Sequence, residues 1–326
     1  MKIAFFDIKP DEIEYLEENL DSDFEKYYFQ TSLTPEIELE DWVYEVEIIS
    51  VFINSNLCKK VLSKFKNLKA IALRSIGYSH VDIVYANEKN IKIFNAPHYG
   101  DHSIAEYTFS LLLSISRKIV QSSYDVKGQI INNENYEGIE LLGKTIGIIG
   151  LGATGKIVAD IASGFSMKPI YYDVIKNDSY DFFPLKKLCE KSDIISINCP
   201  LNQNTLYMID EEKFSYMKNG VIIINTARGE IIKTRALYEA LISKKVKFAA
   251  LDVVESENIL FENIDNKVNI DAIKDICFKN YYLTRKLMSL ENVLITPHVA
   301  YNTKEAKKRI LEITVNNLNS SIKFTN

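Results

Sequence analysis

The stretch Thr145–Gly155, TIGIIGLGATG, decides how this chain folds. After its leading threonine it runs as an unbroken apolar segment, the pattern of a strand buried on both faces of a parallel sheet. Glycines follow at Gly150, Gly152 and Gly155, and Ala153–Phe165 has helical spacing. A strand, a glycine turn and a helix in this order predict one β-α unit of an α/β protein.

The glycine turn has the spacing of a dinucleotide-binding site. Gly150 and Gly152 permit a tight turn and a close approach of the backbone to a pyrophosphate, and Gly155 lets the helix lie close to the strand. The helix N-terminus adds N–H groups and a positive dipole potential. We therefore expect these glycines, together with Ala153 and Thr154, to bind the cofactor.

Asp173 favours NAD over NADP. It ends the candidate strand Ile170–Asp173 and stands 18 residues beyond Gly155. A carboxylate at this place can accept hydrogen bonds from ribose hydroxyls and would repel a 2′-phosphate. No arginine adjoins it, although Lys176 is close in sequence.

Short apolar runs alternate with helical patterns along the whole chain. Several of these runs are continuous, as buried parallel strands require. The series predicts α/β architecture with open, doubly wound parallel sheets. The candidate strands are Ile3–Ile8, Ile48–Ile53, Ala70–Arg74, Ile91–Asn95, Thr145–Ile149, Ile170–Asp173, Asp193–Asn198, Val221–Asn225, Phe248–Val253 and Val293–Thr296.

Two domains are expected, because 326 residues exceed the roughly 100–200 residues of one domain. Asn95–Asp101, NAPHYGD, contains proline and glycine, and Thr296–Pro297 is a second interruption. We predict one domain from residues 1–98 plus 299–326, with residues 99–298 inserted in it.

The segment Ser103–Ser116 is predicted to be a helix. Ser103 and Glu106 have the spacing of a capping box at its start. The helix is apolar over most of its circumference, so it must be buried on several sides.

Composition excludes several classes of protein. The net charge is −5 and there is no basic block, which argues against a nucleic-acid or anionic-membrane partner. No apolar run reaches the ~18–20 residues of a membrane span, and the N-terminus lacks a signal-peptide pattern. The four cysteines form no CxxC motif, so we expect neither a metal site nor a disulfide framework, and a cytoplasmic location.

Charged side chains follow three of the predicted strands. Arg228 follows Val221–Asn225, the acidic stretch ending at Glu257 follows Phe248–Val253, and His298 follows Val293–Thr296. Ligands of open α/β sheets lie at the carboxyl ends of strands, so these side chains are placed to meet one.

These stretches make the chain recognisable. It resembles the D-isomer-specific 2-hydroxyacid dehydrogenase family, most closely its D-lactate dehydrogenase branch. The resemblance implies a Rossmann NAD-binding domain, residues 99–298, inserted in a flavodoxin-like substrate domain, with Arg228, Glu257 and His298 as the catalytic set. The matching stretches are RSIGYSHVD (Arg74–Asp82), NAPHYGDHSIAEYTFSLLL (Asn95–Leu113), GIIGLGATG (Gly147–Gly155), INTARGEII (Ile224–Ile232), LDVVESE (Leu251–Glu257) and ITPHVAY (Ile295–Tyr301).

The chemistry of a 2-oxo acid suits these three side chains. A guanidinium at Arg228 can hold the carboxylate by forked hydrogen bonds and polarise the ketone. A protonated His298 donates the proton as negative charge grows on the ketone oxygen. Glu257 beside His298 would favour the imidazolium and orient the ring.

The resemblance also assigns further contacts. Backbone N–H groups at Ile76 and Gly77, and the side chain of Tyr99, are expected to bind the substrate. Cys199 departs from the small or apolar residue that commonly precedes Pro200 in the family. A homodimer is implied, with Ser103–Ser116 at its contact; the alternative is that this helix is buried between the two domains of one chain. Further cofactor contacts are expected at Cys199, Pro200, Thr205, Thr226, Ala227 and Asp252.

The substrate stays open at this point. Reduction of pyruvate to the D-2-hydroxy acid is favoured, and a bulkier 2-oxo acid, hydroxypyruvate or glyoxylate are alternatives. A different class, an NAD(H)-sensing interaction protein like the corepressors of this scaffold, is the other candidate. The long stretch from Glu257 to His298 is similar to that of D-lactate-type members, and we predict a helical elaboration there.

Overall fold

The computed structural model describes residues 1–78, 80–131, 133–257, 260 and 275–321. The chain divides into two compact units. The first runs from Met1 to Tyr99 and resumes at Thr303, and the second is Gly100–Asn302. Within the described residues, no helix combines the length and the apolar character needed to cross a membrane.

The first unit is built on five parallel strands in the order β2-β1-β3-β4-β5. This is the flavodoxin-like order, which changes direction between β1 and β3. The strands are β1 (Lys2–Phe5), β2 (Glu25–Tyr28), β3 (Ile48–Val51), β4 (Ala70–Leu73) and β5 (Lys92–Phe94). Helices α1 (Pro10–Asn19), α2 (Lys59–Leu62) and α3 (Ile83–Glu88) and a 3₁₀ turn at Asp41–Glu45 connect them.

The second unit holds seven parallel strands in the order β12-β11-β10-β9-β6-β7-β8. The order reverses between β6 and β9, as in a Rossmann fold. The strands are β6 (Thr145–Ile149), β7 (Lys168–Tyr172), β8 (Asp181–Phe182), β9 (Ile194–Ile197), β10 (Val221–Asn225), β11 (Val246–Leu251) and β12 (Val293–Ile295). The helices are α4 (Asp101–Ser116), α5 (Ile119–Lys127), α6 (Ala153–Gly164), α7 (Leu185–Lys191), α8 (Glu211–Tyr216), α9 (Thr234–Ile242) and α10 (Asp275–Met288), with 3₁₀ turns at Asn133–Tyr136 and Gly229–Ile231.

Continuous apolar strands fill a core on each face of the second sheet. In β10, Ile223 belongs to one core, while its neighbours Ile222 and Ile224 belong to the other. Successive side chains of a strand point to opposite faces, so a doubly covered sheet needs an apolar residue at every position. The predicted doubly wound α/β fold is confirmed by this arrangement.

The C-terminal helix α11 (Lys304–Ser321) returns to the first unit. Its Leu311, Val315 and Leu318 are buried with Ile3 and Phe5 of β1 in one core. The last segment of the chain therefore completes the unit that the first segment begins.

Three local predictions are corrected. Strands β2 and β8 were not predicted, because their sequences EKYY and DF contain no continuous apolar run. Helix α4 begins at Asp101 after the N-cap Gly100, so Ser103 does not cap it and lies buried inside the first turns.

The unit limits differ from the predicted boundaries by a few residues. The Tyr99 carbonyl accepts a hydrogen bond from Nε of Arg309 in α11 at 2.7 Å, which ties Tyr99 to the first unit. Val299 and Ala300 instead donate to the Asp252 carboxylate of the second unit.

The apolar character of α4 is explained by burial inside the second unit. Ala105, Phe109, Leu112 and other α4 residues share one core with Ile146 and Val158, the latter in α6.

The predicted helical elaboration before His298 is described only from Asp275 onward, as α10, and residues 261–274 lie outside the described part of the chain.

Candidate active site

The glycine turn joins β6 to α6 and leaves an open space at the helix start. Gly150 has a φ of +94°, and a Cβ there would lie 2.7 Å from the backbone nitrogen of Cys199. A Cβ at Gly155 would lie 2.0 Å from the Gly150 carbonyl oxygen, so neither position admits a side chain. At Gly152, the N-cap of α6, a Cβ would meet nothing within 4 Å. This free space before a helix N-terminus suits a pyrophosphate.

Asp173 lies beside this turn, one residue after β7. Its Oδ2 accepts a hydrogen bond from the Leu151 N–H at 2.6 Å, and its Oδ1 accepts from the Ile175 N–H at 3.0 Å. Each carboxylate oxygen keeps a further lone pair for a ribose hydroxyl. Asp173 therefore also stabilises the glycine turn through its hydrogen bond with Leu151, a role that the sequence spacing does not reveal.

The first helical turn of α6 is also held from outside. The Thr154 hydroxyl donates to Oδ1 of Asp101 at 3.0 Å, which ties α6 to the start of α4. Ala153, the first residue of α6, is exposed.

Cys199, Pro200 and Thr205 follow β9 on the other side of the switch point. The Thr205 hydroxyl donates to the Pro200 carbonyl at 2.7 Å and so closes the loop. Burial raises the pKa of the Cys199 thiol to about 11, which keeps it protonated at neutral pH.

The turn that carries Arg228 is set by Asn225 at the end of β10. The Asn225 side chain accepts from the Ala227 N–H at 3.0 Å and donates to the Arg228 carbonyl at 2.9 Å. A Cβ at Gly229 would lie 2.1 Å from the carbonyl carbon of Val254. Only glycine therefore lets the Arg228 turn contact the loop after β11, which carries Glu257.

Thr226 is buried and bonded within the second unit. Its hydroxyl lies 3.0 Å from that of Thr108 in α4. The Thr108 hydroxyl donates to the Ile104 carbonyl at 2.8 Å, so Thr226 is the donor of the pair. This hydrogen bond fixes the start of the Arg228 turn against α4.

Asp252 holds the loop that carries His298. The side chain is fully buried, its Oδ1 accepts from the Thr296 hydroxyl at 2.6 Å and the Val299 N–H at 3.0 Å, and its Oδ2 accepts from the Ala300 N–H at 2.8 Å. The His298 N–H donates to the Asp252 carbonyl at 2.9 Å. These hydrogen bonds give the Asp252 carboxylate a role in positioning the His298 loop, and the cofactor contact expected at Asp252 stays a prediction.

His298 and Glu257 form a close pair. Nδ1 of His298 lies 2.7 Å from Oε1 of Glu257, and about a quarter to a third of each side chain is exposed. Oε2 of Glu257 is buried and has no hydrogen-bond partner among the described residues. A carboxylate at Nδ1 orients the ring and directs the other ring nitrogen, Nε2, away from itself.

Two further acids surround this pair, and their placement was not predicted. Burial raises the pKa of Glu230, and the charges of Glu257 and Glu255 act in the same direction while Arg228 opposes them. Glu255 is buried and accepts hydrogen bonds from Tyr207, Asn280 and Thr234. The sequence stretches RGE at Arg228–Glu230 and ESE at Glu255–Glu257 do not signal these contacts.

The predicted substrate residues Ile76, Gly77 and Tyr99 all lie in the first unit. Ile76 and Gly77 follow β4, and the Ser75 hydroxyl donates to the Gly77 carbonyl at 2.7 Å. Within the described residues, the N–H groups of Ile76 and Gly77 have no hydrogen-bond acceptor. Tyr99 is buried, with 7% of its surface exposed.

No group of three or more His, Cys, Asp or Glu side chains within the described residues is arranged to hold a metal ion. The groups gathered at the carboxyl ends of the second sheet are a glycine turn, a carboxylate beside it, and an Arg–Glu–His set from the neighbouring strands β10, β11 and β12. Together they define a nucleotide-dependent dehydrogenase.

Comparison with known proteins gives the family. Residues 109–300 match the family model described as D-isomer specific 2-hydroxyacid dehydrogenase, NAD binding domain. The chain belongs to this family. Its cofactor is accordingly NAD, and the open space at Gly152 fits a dinucleotide.

Relatives that match over most of their length carry different substrate names. A hydroxypyruvate reductase of Thermotoga maritima is 37% identical over 84% of each chain. An aromatic 2-oxoacid reductase of Clostridium sporogenes is 35% identical, covering 98% of this chain and 95% of its own. The structure of D-lactate dehydrogenase from Aquifex aeolicus complexed with NAD and lactic acid superposes with a TM-score of 0.85 at 32% identity, covering 98% of this chain and 95% of that one.

Proposed function

We propose that this enzyme reduces a small 2-oxo acid, with pyruvate favoured, to the D-2-hydroxy acid in a reversible NAD-dependent reaction. One observation carries the proposal: Nδ1 of His298 lies 2.7 Å from Oε1 of Glu257. The loop that carries Glu257 also contacts the Arg228 turn, where Gly229 lies against Val254. A proton donor with its own carboxylate and a guanidinium on the adjoining turn are the groups that this reaction requires.

Arg228 binds the acid in this proposal. Its Nη1 donates to the Ala227 carbonyl at 2.6 Å, which orients the guanidinium and leaves other N–H groups of its fork for a ligand. A planar guanidinium matches a carboxylate and a ketone oxygen better than an ammonium does. The N–H groups of Ile76 and Gly77 are proposed as further substrate contacts.

His298 transfers the proton. NAD, when bound, supplies or accepts the hydride. During reduction the imidazolium of His298 donates its Nε2 proton to the substrate oxygen, and during oxidation the neutral imidazole takes the proton back. Glu257 keeps the ring oriented in both directions, because its Oε1 accepts from Nδ1.

A small substrate is supported by similarity to the D-lactate dehydrogenase that was crystallised with lactic acid. Hydroxypyruvate is the second candidate, because a hydroxypyruvate reductase is the relative with the higher identity, at 37%. The two acids differ by one hydroxyl group, so a site that donates or accepts a hydrogen bond at that hydroxyl would prefer hydroxypyruvate strongly.

The deciding experiment follows the loss of NADH absorbance with pyruvate, hydroxypyruvate, glyoxylate, phenylpyruvate and 4-methyl-2-oxopentanoate. We expect the highest kcat/KM with pyruvate and a product of D configuration on chiral chromatography. His298→Ala should reduce kcat about 10²–10⁴-fold, the contribution of one proton-transfer group. Formation of L-lactate would refute the proposal. NADH binding without turnover of any acid would also refute it and would favour an NAD(H)-sensing interaction protein.

We further propose a homodimer and a cytoplasmic location. Helix α5 has no buried residue, and Ile119, Val120, Tyr124 and Val126 on it are each more than half exposed. A cluster of this kind supports a contact with a second copy of the chain, so light scattering should give a dimer that Val120→Asp weakens.

The described cysteines, Cys58, Cys189 and Cys199, are unpaired thiols, which supports a reducing compartment.

A further inference from the structure

Tyr207 connects two of the three loops that carry the catalytic set. It lies in the connection between β9 and α8. Its backbone N–H donates to the Glu230 carbonyl at 2.8 Å, two residues after Arg228. Its hydroxyl donates to Oε1 of Glu255 at 2.6 Å, two residues before Glu257. One residue therefore bonds to both the Arg228 turn and the Glu257 loop.

The backbone side of this connection is a short parallel pairing. The Ile209 N–H donates to the Ile231 carbonyl at 3.0 Å, and the Lys233 N–H donates to the Ile209 carbonyl at 3.0 Å. With the Tyr207 bond to Glu230, these hydrogen bonds set the segment after Arg228 in register with Tyr207. The position of the Tyr207 ring is thus tied to the Arg228 turn.

The Tyr207 side chain is bonded to a buried carboxylate, that of Glu255. Glu255 is 4% exposed, and no cation pairs with it among the described residues. Its charge is instead compensated by hydrogen bonds from the Tyr207 hydroxyl, from Nδ2 of Asn280 in α10 at 3.0 Å, and from both the N–H and the hydroxyl of Thr234 in α9. A buried carboxylate needs such donors, and removal of one leaves an unsatisfied charge.

Glu255 is separated from Glu257 by one residue in a restricted conformation. Ser256 has a φ of +61°, in the left-handed region that non-glycine residues seldom adopt. Because the backbone between the two residues is restricted, the position of Glu257 depends on that of Glu255. A displacement of the Glu255 carboxylate would therefore also displace the Glu257 carboxylate, which orients His298.

We propose that Tyr207 is a positioning residue, which through Glu230 and Glu255 holds the Arg228 turn and the Glu257 loop in the register that proton transfer requires. This inference rests on the proposed function, because it assigns proton transfer to His298 and Glu257. Tyrosine suits the task, since its hydrogen bond to Glu255 and its partial burial raise the pKa of Tyr207 to about 12 and keep the hydroxyl a neutral donor.

The test is Tyr207→Phe, with Tyr216→Phe as the matched control. Tyr216 also donates its hydroxyl to a glutamate oxygen at 2.6 Å, but Glu212 is exposed on α8 and has no link to the site. We expect Tyr207→Phe to lower kcat about tenfold with the NADH dissociation constant unchanged, and Tyr216→Phe to leave both unchanged. Tyr207→Phe should lower the melting temperature more than Tyr216→Phe, because the Glu255 carboxylate is buried and the Glu212 carboxylate is exposed, so the melting temperature alone does not test positioning.

A pH profile separates positioning from a merely structural effect. Reduction needs the imidazolium, and a displaced Glu257 stabilises it less, so the alkaline fall in rate should begin at a lower pH in Tyr207→Phe than in the wild type. Among the described residues, Glu230 interacts with the charges of Glu257, Glu255 and Arg228, and the substitution alters none of these groups. Asn280→Ala removes a second donor from the same Oε1 and should shift kcat and the profile in the same direction.

The outcomes are distinguishable from failure of the proposed function. If His298→Ala abolishes reduction while Tyr207→Phe and Asn280→Ala keep the kcat and pH profile of Tyr216→Phe, the positioning role of Tyr207 is refuted and the proposed function stands. If His298→Ala keeps wild-type activity, the proposed function itself fails.

Discussion

The Nδ1 atom of His298 and the Oε1 atom of Glu257 lie 2.7 Å apart although 41 residues separate them in the chain. Each is held from its own side. The His298 loop is bonded to the buried Asp252, and the Glu257 loop follows the buried Glu255. The two loops therefore meet at this pair, where the Glu257 carboxylate orients the His298 ring.

Glu257→Gln should impair reduction about 10–100-fold in kcat/KM. The amide keeps the shape but lacks the charge, and a hydrogen bond to a charged group contributes about 1.5–3 kcal/mol, where ~1.4 kcal/mol corresponds to tenfold. Because reduction requires the imidazolium, the loss should grow as pH rises. Oxidation of the hydroxy acid should suffer less at high pH, since it uses neutral imidazole. Rates measured in both directions from pH 5 to 9 test this, with Glu239→Gln, at an exposed pair with Arg235, as the control.

Asp173→Asn should weaken the preference for NADH over NADPH by at least about tenfold. The amide oxygen can still accept from the Leu151 N–H, so the glycine turn keeps its shape, while repulsion of a 2′-phosphate is lost. The ratio of kcat/KM values for the two cofactors is the measurement. Asp178→Asn changes the same charge five residues away, at an exposed position, and should leave the ratio as it is. An unchanged ratio in Asp173→Asn would remove Asp173 from cofactor selection.

Gly229→Ala should damage both stability and catalysis. Its Cβ would lie 2.1 Å from the Val254 carbonyl carbon, a backbone atom that cannot move without shifting the Glu257 loop. Overpacking of this kind costs about 1–3 kcal/mol, and we expect kcat to fall in parallel. Gly164→Ala, at the end of α6, meets nothing within 4 Å and should leave kcat unchanged. Melting temperatures and kcat values of the two variants test this prediction. Equal values for Gly229→Ala and Gly164→Ala would contradict the close contact between Gly229 and Val254.

His80 should contribute to acid destabilisation. Burial lowers the pKa of His80, although Asp7 opposes the shift, and its Nε2 has no hydrogen-bond partner among the described residues. A lowered folded pKa means that the stabilisation is present above about pH 6.5, the unfolded value, and is lost as pH falls below it. His80→Gln should therefore flatten the fall of the urea midpoint between pH 7 and 5. His102→Gln, at an exposed position of α4, should not, and a parallel fall in all three proteins would exclude His80 as the cause.

Much of the fold was predictable because it rests on local patterns. Runs such as Val221–Asn225 are apolar at every position, since both faces of their strand are covered, and β10 has those same bounds. The edge strands β2 and β8 were missed, because EKYY and DF lack the apolar run that marks the central strands. The start of α4 was placed at Ser103 by a capping pattern that Gly100 and tertiary burial override.

Within the site, the residue types were predictable and their partners were not. Arg228, the acidic stretch ending at Glu257, and His298 each follow a strand, which indicated a ligand site because parallel strands end at one edge. The family resemblance implied that these residues are the catalytic set. That the Asp252 carboxylate accepts hydrogen bonds from Thr296, Val299 and Ala300 followed only from coordinates. The same holds for the hydrogen bond between Thr226 and Thr108, which stand 118 positions apart in the chain.

The amino-acid sequence by itself determined the strand–turn–helix order, the glycine positions and the chemical groups at the strand ends, since these follow from short-range periodicity and backbone freedom. Tertiary structure alone decided which atoms meet: Gly229 against Val254, Tyr207 between Glu230 and Glu255, Glu257 at His298. The reason is physical. Such contacts join loops from different strands, and their distances depend on how the whole sheet packs and twists, which no local preference encodes.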